Sequence, residues 1–138
     1  MRKIILLFVC LLCVSGCSSS NKKMVCSSIK GNDIPKSSNI STFEYKDEKV
    51  TKIHSELIYK GEEIQLSMIK AMFSEAFSDL DENELKLVEK DDELKYIIDV
   101  AMEDGNDDHL IKLFGIFDSN NDVATIKQEL EAKEYVCE

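Results

Sequence analysis

Apolar residues recur along this chain at two periods, and the changes between them mark out the elements. Leu94, Tyr96, Ile98, Val100 and Met102 alternate with Lys95, Asp99 and Glu103. That period of two predicts a strand with one buried face. The stretch Leu85, Leu87 and Val88 leads into it through the polar turn Lys90-Asp91-Asp92-Glu93, which predicts a hairpin. An earlier stretch has the same layout. Ile40, Thr42, Phe43 and Tyr45 lead to Lys46-Asp47-Glu48-Lys49, and Val50 to Tyr59 returns with Ile53, Leu57 and Tyr59 on one face. The two turns and the strands leaving them are similar enough to suggest two related hairpin units.

Between the hairpins the period changes. Ile64, Met68, Ile69, Met72, Phe73, Ala76, Phe77 and Leu80 fall at helical spacing over Glu62 to Leu80, with Glu62 and Glu63 at the positive end. Gly61 separates this helix from the strand before it. Beyond the second hairpin, Asp108 is positioned to cap a short helix from His109 to Phe114 that Gly115 ends. Asp122 caps a further helix bearing Val123, Ile126 and Leu130. Met24 to Ser28 reads as a short first strand and Tyr135 to Cys137 as a short closing one, while Lys30 to Asn39, with Gly31 and Pro35, reads as a loop. These elements predict an α+β fold: an antiparallel sheet of two hairpins plus short terminal strands, five or six strands in all, with two main helices packed on one face.

The first twenty residues follow neither pattern. Arg2 and Lys3 precede an apolar run from Ile4 to Leu12, and Val14, Ser15 and Gly16 lead to Cys17. A cationic start, an apolar run too short to span a bilayer and a small-residue zone are the layout of a secretory signal. Val14-Ser15-Gly16-Cys17 also resembles a bacterial lipobox, which implies acylation of the Cys17 sulfur and cleavage before it. Two or more acyl chains give lasting membrane attachment. The expected organisation is a signal peptide over 1–16, a lipidated Cys17 with a polar tether over 17–23, and a single domain over 24–138. The expected location is the extracytoplasmic face of a cell membrane. The alternative is an ordinary cleaved signal with Cys17 as a plain thiol.

Charge narrows the partners. Residues 17–138 carry 15 Lys and no Arg against 27 Asp and Glu, a net charge of −12 with His neutral. Nucleic acid is excluded as a partner on this balance, because backbone binding needs clustered positive charge. The same net charge leads one to expect repulsion from an anionic membrane, so that the lipid alone would hold the domain there.

Cys10 and Cys13 leave with the signal, and Cys17 takes the lipid. Cys26 and Cys137 remain, and outside the cytoplasm such a pair is most simply a disulfide. The alternative is a metal site with His54 and His109, whose spacing matches no zinc pattern.

Two stretches suggest ligands. Asp118, Asn120, Asp122 and Glu129 occupy the first, third, fifth and twelfth places of a helix-loop-helix calcium loop, yet Val123 stands where that loop needs glycine. Turn and cap chemistry explains the same residues without an ion, as an acidic solvated loop explains Glu103, Asp104, Asp107 and Asp108. Phe73, Phe77, Tyr96 and Met102 could line a site for a small apolar or cationic ligand between sheet and helix, with Gly115 to Phe117 as its lid. A filled core is the competing reading. His54, on the face opposite Ile53, has nothing nearby to orient it and reads as a surface or cross-strand residue rather than a base. No Gly-x-Ser-x-Gly, His-Glu-x-x-His or glycine-rich phosphate loop occurs. No enzyme activity and no cofactor are therefore expected.

The lipobox, Tyr45-Lys-Asp-Glu-Lys-Val50 with its following helix, Lys90-Asp-Asp-Glu-Leu94 with Asp99, and the ending Glu134-Tyr135-Val136-Cys137-Glu138 together resemble small bacterial YehR-like lipoproteins. The resemblance implies an α+β domain of paired hairpins and helices, with an early and a C-terminal Cys, in a group with no assigned activity. The expected role is a non-enzymatic, lipid-anchored domain that presents a surface to an envelope protein partner, with small-ligand binding as the alternative.

Overall fold

A computed structural model describes residues 20–31, 35–103 and 106–138. The lipobox stretch and Asp104 lie outside the described residues. Six strands and three helices follow one another in the order β1 (Lys22–Lys30), β2 (Lys36–Lys46), β3 (Lys49–Lys60), α1 (Glu63–Ala76), β4 (Leu85–Lys90), β5 (Glu93–Ala101), α2 (Asp108–Phe114), α3 (Val123–Ala132) and β6 (Val136–Cys137). The sheet is antiparallel throughout, in the order β4-β5-β3-β2-β1-β6. This is the α+β architecture expected from the sequence. None of the described helices is long and apolar enough to cross a membrane.

Two tight turns set the register. Asp47 and Glu48 adopt φ values of 51° and 63°, the left-handed pair that matches the twist of a two-residue hairpin. A bulge at Glu44/Tyr45 then shifts the pairing so that Tyr45 and Val50 face each other on the buried side. With a side-chain period of two, register decides which residues are buried. Phe43, Ile53, Ile98 and Val100 face the helices and are at most 1% exposed, with Leu57 and Tyr96 beside them. Burying one such aliphatic or aromatic side chain contributes about 1.5–3 kcal/mol.

All three helices cover this one face. Phe114 of α2 packs on Phe43 with ring centroids 5.5 Å apart, and Phe73 of α1 stacks on Tyr96 at 4.3 Å. Leu110, Ile116, Ile126 and Leu130 complete the core beneath α2 and α3. The cap of α3 is as expected, since the Asp122 carboxylate accepts from Thr125 N at 2.9 Å. That of α2 differs: Asp107 holds the cap position, and its carboxylate instead receives the backbone N–H and hydroxyl of Ser119. Gly115 ends α2 at φ 63°.

The sheet extends further than the pattern suggested. β1 begins at Lys22, so Lys22 and Lys23 belong to the sheet and not to a tether over 17–23. Likewise Lys36 to Asn39, read as loop, begin β2, because Ser37 and Asn39 face inward opposite Tyr59 and Leu57. α1 departs in the other direction. Ile64, Met68 and Met72 are 63–74% exposed, while Leu66, Ile69, Phe73 and Phe77 face the sheet. Its apolar arc is wider than the surface beneath it.

Candidate functional site

α1 and α2 cover the inner face incompletely, leaving a cleft of about 330 Å³ between them over β1, β2 and β3. Its walls are apolar: Leu57 and Tyr59 from β3, Met72, Phe73, Ala76 and Phe77 from α1, and Leu113 from α2. Phe73 is the hub of the wall, with Tyr59 edge-on at 5.5 Å, Phe77 at 5.3 Å and Tyr96 flat beneath it. Lys30 and Lys112 stand at the mouth, and Asp79 holds the Lys112 ammonium at 2.6 Å. That ammonium keeps the Asp79 carboxyl below the usual carboxylate range.

The floor is polar, and its hydrogen bonds run one way. Ser41 Oγ donates to Asn39 Oδ1 at 2.6 Å, which leaves the Ser55 hydroxyl as the donor to Ser41 at 2.7 Å. Asn39 Nδ2 then donates to the Tyr135 hydroxyl oxygen at 3.1 Å. Tyr135 ends the chain of donors and lines the cleft, so its own O–H is left to donate into the opening. Burial pushes the Tyr135 and Tyr59 phenols above their ordinary pKa, so both stay protonated at neutral pH. Ser28 and Ser37 add further hydroxyls to the floor.

Of the expected ligand residues, Phe73 and Phe77 line this cleft and the others do not. Tyr96 lies behind Phe73, with its hydroxyl buried and unpartnered among the described residues. Met102 sits at the far end of β5, where its backbone N–H donates to Thr51 O. Gly115 to Phe117 form no lid. Gly115 is a helix cap, Ile116 is fully buried in the core, and Phe117 points to solvent.

Asn39, Tyr59, Leu113 and Tyr135 escape a sequence reading because they come from β2, β3, α2 and the residue just before β6, far apart along the chain. A signal for Tyr135 was present: it lies two residues before Cys137, on the same side of the closing strand, and a Cys26–Cys137 bond fixes that side inward. The disulfide is formed, joining residues directly opposite each other on β1 and β6. Those two sulfurs are therefore not metal ligands.

The Asp118 to Asp122 loop is occupied by its own chain. Asp122 caps α3 through Thr125 N and Oγ1, and the Lys49 ammonium donates to Asn120 O at 2.7 Å, placing a cation against a would-be ligand. The Thr125 backbone N–H keeps the Asp122 carboxyl below its usual range. Glu129 is exposed on α3, and the described residues contain no group of three or more His, Cys, Asp or Glu able to hold a metal ion.

His54 does have a neighbour that orients it. Its Nδ1 lies 2.8 Å from Asp99 Oδ1, directly across from it on β5, and its Nε2 lies 3.8 Å from Glu56. Strand register supplies the partner that sequence adjacency did not. Both ring nitrogens face carboxylates on an open sheet face, an arrangement without a nucleophile in hydrogen-bond contact among the described residues.

No protein-family model, curated protein or solved structure matches the chain.

Proposed function

We propose that the protein is a lipid-anchored, extracytoplasmic, non-enzymatic lipoprotein whose domain binds a small ligand in the cleft between α1, α2 and the β1–β3 floor. The observation that carries this reading is the pairing of aromatic walls with a polar floor, whose chain of donors ends at the Tyr135 hydroxyl, in a space of about 330 Å³. Small-molecule sites combine an apolar lining with a few placed polar groups in this way, from about 300 Å³ upward. Tyr135 O–H, Lys30 and Lys112 are donors, so the ligand has a flat or aliphatic body and an acceptor-rich or anionic end. A cationic end would meet the Lys30 ammonium, the Lys112 ammonium being already paired with Asp79.

The test uses anilinonaphthalene sulfonate, an aromatic body with an anionic end. Saturable fluorescence enhancement is expected with the native protein, and its loss in Ala76→Trp. Ala76 is exposed and lines the cleft, so an indole there fills the opening without entering the core. Equal enhancement in both proteins would exclude this cleft as the site.

A second reading, presentation of the domain to an envelope protein, is favoured by the exposed Ile64, Met68 and Met72 on α1. Membrane-wide crosslinking from position 68 that yields one discrete adduct would support it, and a bare protein would exclude it.

A further inference from the structure

The face of the sheet opposite the helices is uncovered. Strand register arranges its side chains in rows. One row runs from β6 to β4 as Val136, Ser27, Ile40, Glu56, Ile97 and Lys86, and the next runs from β1 as Ile29, Ser38, Ile58, Lys95 and Val88. Ile29 is 85% exposed, Val136 65% and Ile40 48%. Outer rows place Lys23 and Lys52 beside Glu44, and Lys36, Lys60 and Lys90 beside Glu93.

Charge is divided unevenly between the two sides. The open face holds seven of the 15 lysines of residues 17–138, against Glu44, Glu56, Glu93, Asp99 and, opposite Val25 at the β6 edge, Glu138. The remainder carries eight lysines against 22 carboxylates. Glu138 and Lys23 share a hollow at that edge with Ala124 and Lys127. A strongly acidic protein thus has one basic face, studded with exposed aliphatic side chains. The net negative charge is therefore carried by the helix side.

Chain length fixes how far the domain can stand from its anchor. Cys17 precedes Lys22, the first residue of β1, by five positions. Five extended residues reach at most about 17 Å. An acylated Cys17 would therefore hold the start of β1 within about 17 Å of the bilayer, close enough for a face of the sheet to reach the headgroups.

We propose that the open sheet face is a membrane seat: it lies on anionic lipid headgroups through its lysines and exposed Val and Ile side chains. α1 and the cleft then face away from the bilayer. This rests on the acylation of Cys17 proposed above. Anionic headgroups attract the lysine surplus of this face and repel the helix side, which selects the orientation.

The test is lysine footprinting of the mature acylated protein in phosphatidylcholine vesicles, with or without roughly 30% phosphatidylglycerol, using a water-soluble acetylating reagent. With the anionic lipid, Lys52, Lys86 and Lys95 are expected to react about fivefold or more slowly than in its absence, while Lys127 and Lys133 on the α3 side keep their rates. A triple variant, Lys52→Glu, Lys86→Glu and Lys95→Glu, is expected to float with the vesicles and keep its circular dichroism while Lys36 and Lys60 lose their protection. Equal reactivity of the two faces, or protection that survives the charge reversal, overturns the seat while leaving the anchor intact. A native protein that does not float with vesicles overturns the anchor and the seat together.

Discussion

Cys26 and Cys137 face each other across adjacent strands, with Cα atoms 4.1 Å apart and 111 positions between them in sequence. The bond begins a row that crosses the inner face of the whole sheet, from Cys137 and Cys26 through Ser41, Ser55 and Ile98 to Leu85. β6 is only two residues long, too short to hold itself by backbone hydrogen bonds. The disulfide keeps it in place, and with it Tyr135 over the cleft.

Replacing both cysteines with alanine is expected to cost about 3–5 kcal/mol, as for a long closed loop. β6 should also fray before the rest of the sheet. Urea denaturation gives the first quantity. Amide exchange at Val25 and Glu138, whose N–H groups bond each other's carbonyls across this pair, reports the second. Uniform exchange across the sheet would argue against a local role for the bond.

Asn39→Ala breaks the donor chain in its middle, removing both the acceptor for Ser41 and the donor to Tyr135. A loss of about 1–3 kcal/mol is expected from the stranded polar groups. The Asn39 amide also draws the Tyr135 pKa down against the effect of burial. Its removal should therefore move the Tyr135 phenol further up in a spectrophotometric titration. No change at Tyr135 would show that the 3.1 Å contact is not a hydrogen bond in solution.

Two helix ends predict opposite responses. Gly115 sits at φ 63°, and a Cβ there would meet nothing within 4 Å. Gly115→Ala should thus cost the backbone strain alone, about 1–2 kcal/mol. Glu134 ends α3 at φ 69°, in a motif where the Tyr135 N–H bonds Leu130 O. Glu134→Gly should relieve about 1 kcal/mol of the same strain. Melting temperatures of the two variants should move in opposite directions.

Stability should fall on both sides of neutrality. A hydrogen bond from Lys95 holds the Glu56 carboxyl below its ordinary range, and the Thr125 N–H does the same for Asp122. Carboxyls lowered by folding contribute above their unfolded value, about 4, and that contribution is lost as pH falls through the lowered folded values. Tyr59, Tyr96 and Tyr135 are raised by burial, so their contribution is complete below about 10 and is lost as pH rises through the raised values. Urea midpoints measured against pH should show both arms. Lys95→Met, which removes the leading cause at Glu56, should make the acid arm shallower. An unchanged acid arm would assign it to other carboxyls.

The sequence alone determined what depends on neighbours in the chain. Period-two alternation placed β3 and β5, and polar turns at Asp47-Glu48 and Asp91-Asp92 joined the hairpins, because both signals are set within a few residues. The caps Asp122 and Gly115, and the Cys26–Cys137 pair, were legible for the same kind of reason: a single residue type at a fixed offset, or a simple count. Tertiary structure decided what several elements share. The helical stripe of α1 could not reveal that Phe73 and Phe77 would face the sheet while Met68 and Met72 faced out, since a helix does not encode how much of its arc a sheet will cover. The cleft, the donor chain from Ser55 to Tyr135, the pairing of His54 with Asp99, and the basic face on an acidic protein all arise from strand register. Register brings together residues that no window along the chain contains.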